Sequence, residues 1–173
     1  LSPIYINLRN LPEWLYASIG KNMAALKLNR PADLCVGLPN AGLPLSLAYS
    51  KATGGTIKNL EILDKVMNKD QADFRIKTEI PKGRGETVVI IDDVITTAGT
   101  KLKAAKVLRA HGFEVHDILV GVNRAPADLS LLTEESLHVS SIFEIMPLMD
   151  FYLEKSIKVN QERYKAVKKY VDS

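Results

Sequence analysis

Thr87-Val88-Val89-Ile90-Ile91-Asp92-Asp93 is the segment that most narrows what this chain can fold into. Five consecutive β-branched residues are stiff at χ1 and favour extended backbone. Their apolarity is continuous rather than alternating, which suits a strand covered on both faces, as in a parallel sheet. Two adjacent carboxylates then stop the run. The small, hydroxyl-rich stretch Thr96-Thr97-Ala98-Gly99-Thr100 leads into a helical pattern through Leu102, Ala105, Leu108 and Arg109, ended by His111-Gly112.

The rest of the chain repeats that alternation. Residues 4–8 read as a short strand. Leu11, Leu15, Ile19, Met23 and Leu26 recur every three to four residues, an amphipathic helix with Pro12 in its first turn. Residues 34–39 are a compact buried strand, followed by Asn40-Ala41-Gly42 and a helical run to Ala52. Residues 56–86 are rich in Lys, Asp and Asn and predict an exposed, partly stranded excursion. Residues 114–122 form a further strand with Asn123-Arg124 at its carboxyl end, residues 139–143 a last one, and helices near 146–155 and 159–171 complete the chain. Strands alternating with helices of ten or more residues predict an α/β fold: one domain over residues 1–173, with a mainly parallel twisted sheet flanked by helices.

Composition fits that reading. A chain of 173 residues can bury a full core, and 46% hydrophobic with 25% charged residues excludes a disordered or fibrous chain. No apolar run reaches the roughly 18 to 20 residues of a membrane span. The balance of 23 Lys plus Arg against 20 Asp plus Glu, a formal +3, is too slight for a dedicated nucleic-acid binder and suits a small phosphorylated ligand. The single cysteine, Cys35, can form neither an internal disulfide nor a zinc site, which points to a reducing, cytoplasmic setting. The chain opens at Leu1, without a methionine, and is expected to lack some N-terminal residues.

In an open parallel sheet, ligands sit where strands end and helices begin. Asp92 and Asp93 there are acceptors for sugar hydroxyls, and the Thr/Gly loop at a helix N-terminus supplies backbone donors for an anion. That pairing suits a phosphorylated ribose. Asn40, Ala41 and Gly42 form a second small-residue turn between a strand and a helix, open to an anion. Arg124 closes a third strand, with a guanidinium suited to a planar carboxylate. None of the three histidines has a Cys, Asp or Glu partner at ligand spacing, so direct metal ligation by His or Cys is not expected.

The thirteen residues Val88 to Thr100 resemble the signature of the type I phosphoribosyltransferases, and the ending Val94-Ile95-Thr96-Thr97-Ala98-Gly99-Thr100 is most similar to the orotate phosphoribosyltransferase branch. Ser2-Pro3-Ile4-Tyr5-Ile6-Asn7-Leu8-Arg9 resembles that branch's early strand, and residues 36–45 its pyrophosphate loop. The resemblance implies a cytoplasmic enzyme of pyrimidine nucleotide synthesis. It would transfer 5-phosphoribosyl from phosphoribosyl pyrophosphate (PRPP) to orotate, as a homodimer with shared sites. It assigns Asp92 and Asp93 to the ribose hydroxyls of PRPP and Thr96, Thr97, Ala98, Gly99 and Thr100 to its 5-phosphate, with Val94 and Ile95 also among the PRPP-binding positions. Asn40, Ala41 and Gly42 take the pyrophosphate, and Thr96 and Arg124 the orotate. Mg²⁺ would arrive with PRPP, with Asp93 able to supply a carboxylate.

One element of the branch is missing. Its mobile loop carries a run like Arg-Lys-x-x-Lys-x-His-Gly, whereas residues 63–77 here hold Lys65, Lys69, Arg75 and Lys77 and no histidine. Lys65 and Lys69 are the candidates for charge stabilisation from that loop. Two other readings stay open: transfer to another base such as a purine, and a non-catalytic PRPP-binding regulator.

Overall fold

The computed structural model describes residues 5–68, 71–124, 129–155 and 160–172. Five strands form one parallel sheet in the order β2-β1-β5-β6-β7: β1 Leu34–Gly37, β2 Lys58–Asn59, β5 Thr87–Ile95, β6 Glu114–Asn123 and β7 His138–Glu144. A separate antiparallel hairpin pairs β3 Leu63–Asn68 with β4 Gln71–Ile76. The helices are α1 Glu13–Ala24, α2 Gly42–Ala52, α3 Gly99–Ala110, α4 Ser130–Glu134, α5 Ile145–Glu154 and α6 Gln161–Val171.

The covered central strand follows from its sequence. Alternate side chains of β5 go to opposite faces. Val89 and Ile91 pack with Met23 of α1 and with Leu45 and Tyr49 of α2. Val88 and Ile90 join Ala104, Ala105 and Leu108 of α3. Each fully buried Val or Ile contributes about 1.5–3 kcal/mol of hydrophobic stabilisation before entropy is counted. On the first face the helices come close because α1 has a glycine where it meets α2: a Cβ at Gly20 would lie 2.5 Å from the Ala48 carbonyl oxygen. A third, smaller cluster holds Val122, Ile145, Met149 and Val167, seating α5 and α6 beneath the end of β6.

Two polar ties close the frame. Asp117, buried on β6, accepts the backbone N–H groups of Asn29 (2.8 Å) and Arg30 (3.0 Å), fixing the connection between α1 and β1. The His111 ring lies 3.1 Å from the carbonyl oxygens of Ile80 and Pro81, tying the chain leaving the hairpin to the end of α3.

The structure revises several expectations. Pro12 is the N-cap of α1 rather than part of its first turn. Residues 5–8 form no strand, and Ile4 lies outside the described residues. Residues 56–86 form the partly stranded stretch expected, mostly exposed or half-buried, but Ile62, Leu63 and Phe74 anchor it in the main core. The acids do not end β5, which runs through both of them to Ile95 because β6 continues beside it as far as Asn123.

The order of strands fixes the place for a ligand. From β1 the chain crosses through α2 to β2 on one side, and from β5 through α3 to β6 on the other. The connections thus diverge between β1 and β5, the topological switch point where a crevice opens at the carboxyl ends of the strands.

Candidate active site

Both predicted loops fall at that switch point, the turn after β1 and the loop between β5 and α3. In the first, the Leu38 N–H donates to the Ile91 carbonyl (2.9 Å) and the Gly42 N–H to the Leu38 carbonyl (2.9 Å), and the Pro39–Asn40 peptide bond is cis. The turn is pressed against β5. A Cβ at Gly42 would lie 2.4 Å from the Ile91 carbonyl oxygen, and one at Gly37 would lie 2.3 Å from the Gly42 carbonyl oxygen. Only glycine fits at either place. Because the Gly42 N–H is already committed, the donors this turn can offer are the amides of Asn40, which is exposed, and Ala41. Gly42 therefore serves this turn through its missing side chain, which lets the backbone pack against β5.

The second loop has only residues 96–98 between strand and helix, because α3 begins at Gly99. Its N-cap is Ala98, with no side chain capping the first turn, so the opening amides are left to an outside acceptor. Thr96 and Thr100 are half-buried and Thr97 is exposed. Ile95 is fully buried in the core, so only its backbone belongs to the site.

The two acids, adjacent in sequence, have different surroundings. Asp92 is 8% exposed and its Oδ2 lies 2.7 Å from Nζ of Lys101. Its Oδ1 accepts the Asp93 N–H at 2.9 Å. Asp93 is half-buried, and its Oδ1 accepts the Val94 N–H at 2.8 Å. Burial, then the charge of Asp92, raises the Asp93 carboxyl above its ordinary value. Asp92 is thus paired and tied down within the protein, whereas Asp93 is the more exposed of the two acids.

Lys101 was not foreseen as a site residue. It is 6% exposed in the first turn of α3, and Nζ also donates to the Val94 carbonyl at 2.6 Å. A signal was present. Lys101, Ala104, Ala105 and Leu108 recur at i, i+3, i+4 and i+7, so the lysine occupies the inward stripe of its helix. A charge there needs a buried partner.

Arg124 follows β6, and its N–H donates to the Ile95 carbonyl at 2.8 Å, beside the end of β5. The residue is 6% exposed, which sets it apart from an ordinary solvated arginine. On the hairpin, Lys65 is exposed on β3 opposite Phe74. Arg75 pairs with Asp64 (3.5 Å) and Lys77 with Glu61 (3.2 Å). Lys69 lies outside the described residues. A separate hollow of about 390 Å³ between α1 and α2, lined by Leu11, Tyr16, Ala17, Pro44, Leu47 and Ala48 among others, is mainly apolar and contains none of these groups.

The chain belongs to the phosphoribosyltransferases, a family of transferases: the model of the phosphoribosyl transferase domain matches residues 15–136. Within it, the orotate phosphoribosyltransferase of Aquifex aeolicus is 30% identical over 154 residues, covering 86% of this chain and 82% of that protein. The UMP synthase of Leishmania donovani superposes with a TM-score of 0.79 at 26% identity, over 98% of this chain and 36% of that longer one. The orotate phosphoribosyltransferase of Aeropyrum pernix gives 0.67 at 23% identity, over 84% and 81%, and supports the fold alone.

Proposed function

We propose that this chain is an orotate phosphoribosyltransferase, forming orotidine 5-phosphate and pyrophosphate from PRPP and orotate. The observation that carries the reading is the β5–α3 junction: a half-buried Asp93 beside a helix that opens on uncapped amides. Asp93 accepts the ribose hydroxyls, the amides and hydroxyls of Thr96 to Thr100 hold the 5-phosphate, and the Asn40 and Ala41 amides meet the pyrophosphate. The choice of orotate rests on Arg124, a buried arginine whose backbone N–H bonds to Ile95 at the end of β5 and whose guanidinium suits a planar carboxylate better than a neutral purine.

The bond from ribose C1 to pyrophosphate breaks as charge develops on both fragments. The protein's part is to orient the ring, hold both anionic ends and keep the base nitrogen in line, with no covalent nucleophile. Lys65, exposed on the hairpin, is a candidate donor to the departing pyrophosphate.

Mg²⁺ fits the residues here as a substrate-borne ion. Among the described residues no cluster of three His, Cys, Asp or Glu gathers, and Asp92 is already paired with Lys101, which leaves Asp93 as the carboxylate for it. When bound, the ion would neutralise pyrophosphate oxygens. A homodimer with shared sites and a cytoplasmic setting complete the reading. The sole cysteine, Cys35, is buried and free, and no described helix is long and apolar enough to cross a membrane.

The test is pyrophosphate release from PRPP and Mg²⁺ with orotate, uracil, hypoxanthine or xanthine. Release with orotate alone is expected. Release with a purine but not orotate would overturn the choice of base, and PRPP binding without release under any base would make the chain a binding regulator.

A further inference from the structure

Lys101 is a cation at a core position, and burying an ion pair brings little net stability compared with apolar residues of the same size. What the pair does achieve is geometric. Nζ sits 2.7 Å from Asp92 Oδ2 and 2.6 Å from the Val94 carbonyl oxygen, while the lysine's own backbone belongs to the first turn of α3. One side chain thus fastens the acidic end of β5 to the helix end that faces the 5-phosphate. The other oxygen of Asp92 holds the Asp93 N–H at 2.9 Å, so the link continues to the acid that faces the ribose.

We propose that Lys101 is a positioning residue for PRPP: through Asp92 and Val94 it fixes the spacing between the ribose acceptor Asp93 and the phosphate-binding amides of α3. This rests on the phosphoribosyl reading of the site and deepens it. Ligand affinity for PRPP requires both contacts at once, and a clamp with 6% exposure has little freedom to drift. Orotate, held from the β6 side by Arg124, does not depend on that spacing.

The test uses Lys101→Met, Asp92→Asn and the double variant, each checked by thermal melting and by steady-state kinetics with each substrate varied. Lys101→Met leaves a buried carboxylate unpaired, so it lowers Tm and raises the KM for PRPP about tenfold, with the KM for orotate within twofold of wild type. In the double variant the lone charge is gone and Tm recovers, yet the KM for PRPP stays high. Adding Lys101→Met to Asp92→Asn changes it less than twofold further. If Lys101→Met does not fold, the comparison of Asp92→Asn with the double variant gives the same answer.

An unchanged KM for PRPP in the single variants, or its return to the wild-type value when Tm recovers, would overturn the proposal and leave a merely structural pair. If the wild type itself neither binds nor turns over PRPP, the site reading fails, and this inference with it.

Discussion

The β5–α3 junction and the β3–β4 hairpin both carry charge, and they hold it in opposite ways. At the junction Asp92 and Lys101 are 8% and 6% exposed and bonded to each other in the core. On the hairpin the Arg75–Asp64 pair has side chains 70% and 40% exposed, and Lys65, next to Asp64 on β3, is exposed. A buried pair has one geometry, because any other leaves a charge unsolvated. An exposed pair adds at most about 1 kcal/mol and leaves its side chains mobile. The junction is therefore suited to recognition, which needs fixed distances. The hairpin, anchored by Leu63 and Phe74 with Lys65 left exposed, is suited to an approach that follows binding.

The largest way to break this contrast is to loosen the hairpin's anchor. Phe74→Ala should cost about 3 kcal/mol of stability in a denaturant melt, and a cost near zero would mean the hairpin is not part of the core. Next comes Asp93→Asn, expected to weaken PRPP binding about 100-fold by calorimetry, because a charge-assisted acceptor is lost. Arg124→Lys keeps the charge but not the planar fork. We expect the KM for orotate to rise about tenfold, with PRPP binding unaltered. Lys65→Ala should lower kcat about threefold and leave stability within about 0.5 kcal/mol, as suits an exposed side chain. A larger loss of stability would place that lysine with the junction's buried charges.

The smallest effect is at neutral pH and concerns Cys35. Burial pushes the Cys35 thiol up to about 12, and the Tyr49 phenol hydroxyl to about 12 as well. Both groups stay neutral in the folded protein while the unfolded chain begins to ionise near pH 9. Their contribution is therefore intact below that value and is lost as pH rises toward 12. Alkylation at pH 8 should leave the native protein unlabelled and label it on unfolding. Rapid native labelling would contradict the burial.

Much of the frame was legible because β-branched runs and helical periodicity report burial directly. Val88 to Ile91, the α1 stripe and the loops at residues 40–42 and 96–100 were all readable that way. The limits of β5 were not, since carboxylates read as a strand end, and only the neighbouring β6 shows that pairing continues to Ile95. The hairpin's charge masked Leu63 and Phe74. Lys101 escaped notice because periodicity counts apolar residues, and a lysine on an inward stripe has meaning only once its partner is found across the helix–strand gap. Arg124 could be proposed from its register with the loop, but its burial needed the fold.

The most direct test of the account is a crystal structure with PRPP and Mg²⁺ bound. The account predicts the 5-phosphate on the amides and hydroxyls of residues 96–100, the ribose hydroxyls on Asp93, and Asp92 still paired with Lys101. A sugar phosphate held by Asp92 with Lys101 displaced, or one seated away from the β1–β5 switch point, would contradict it.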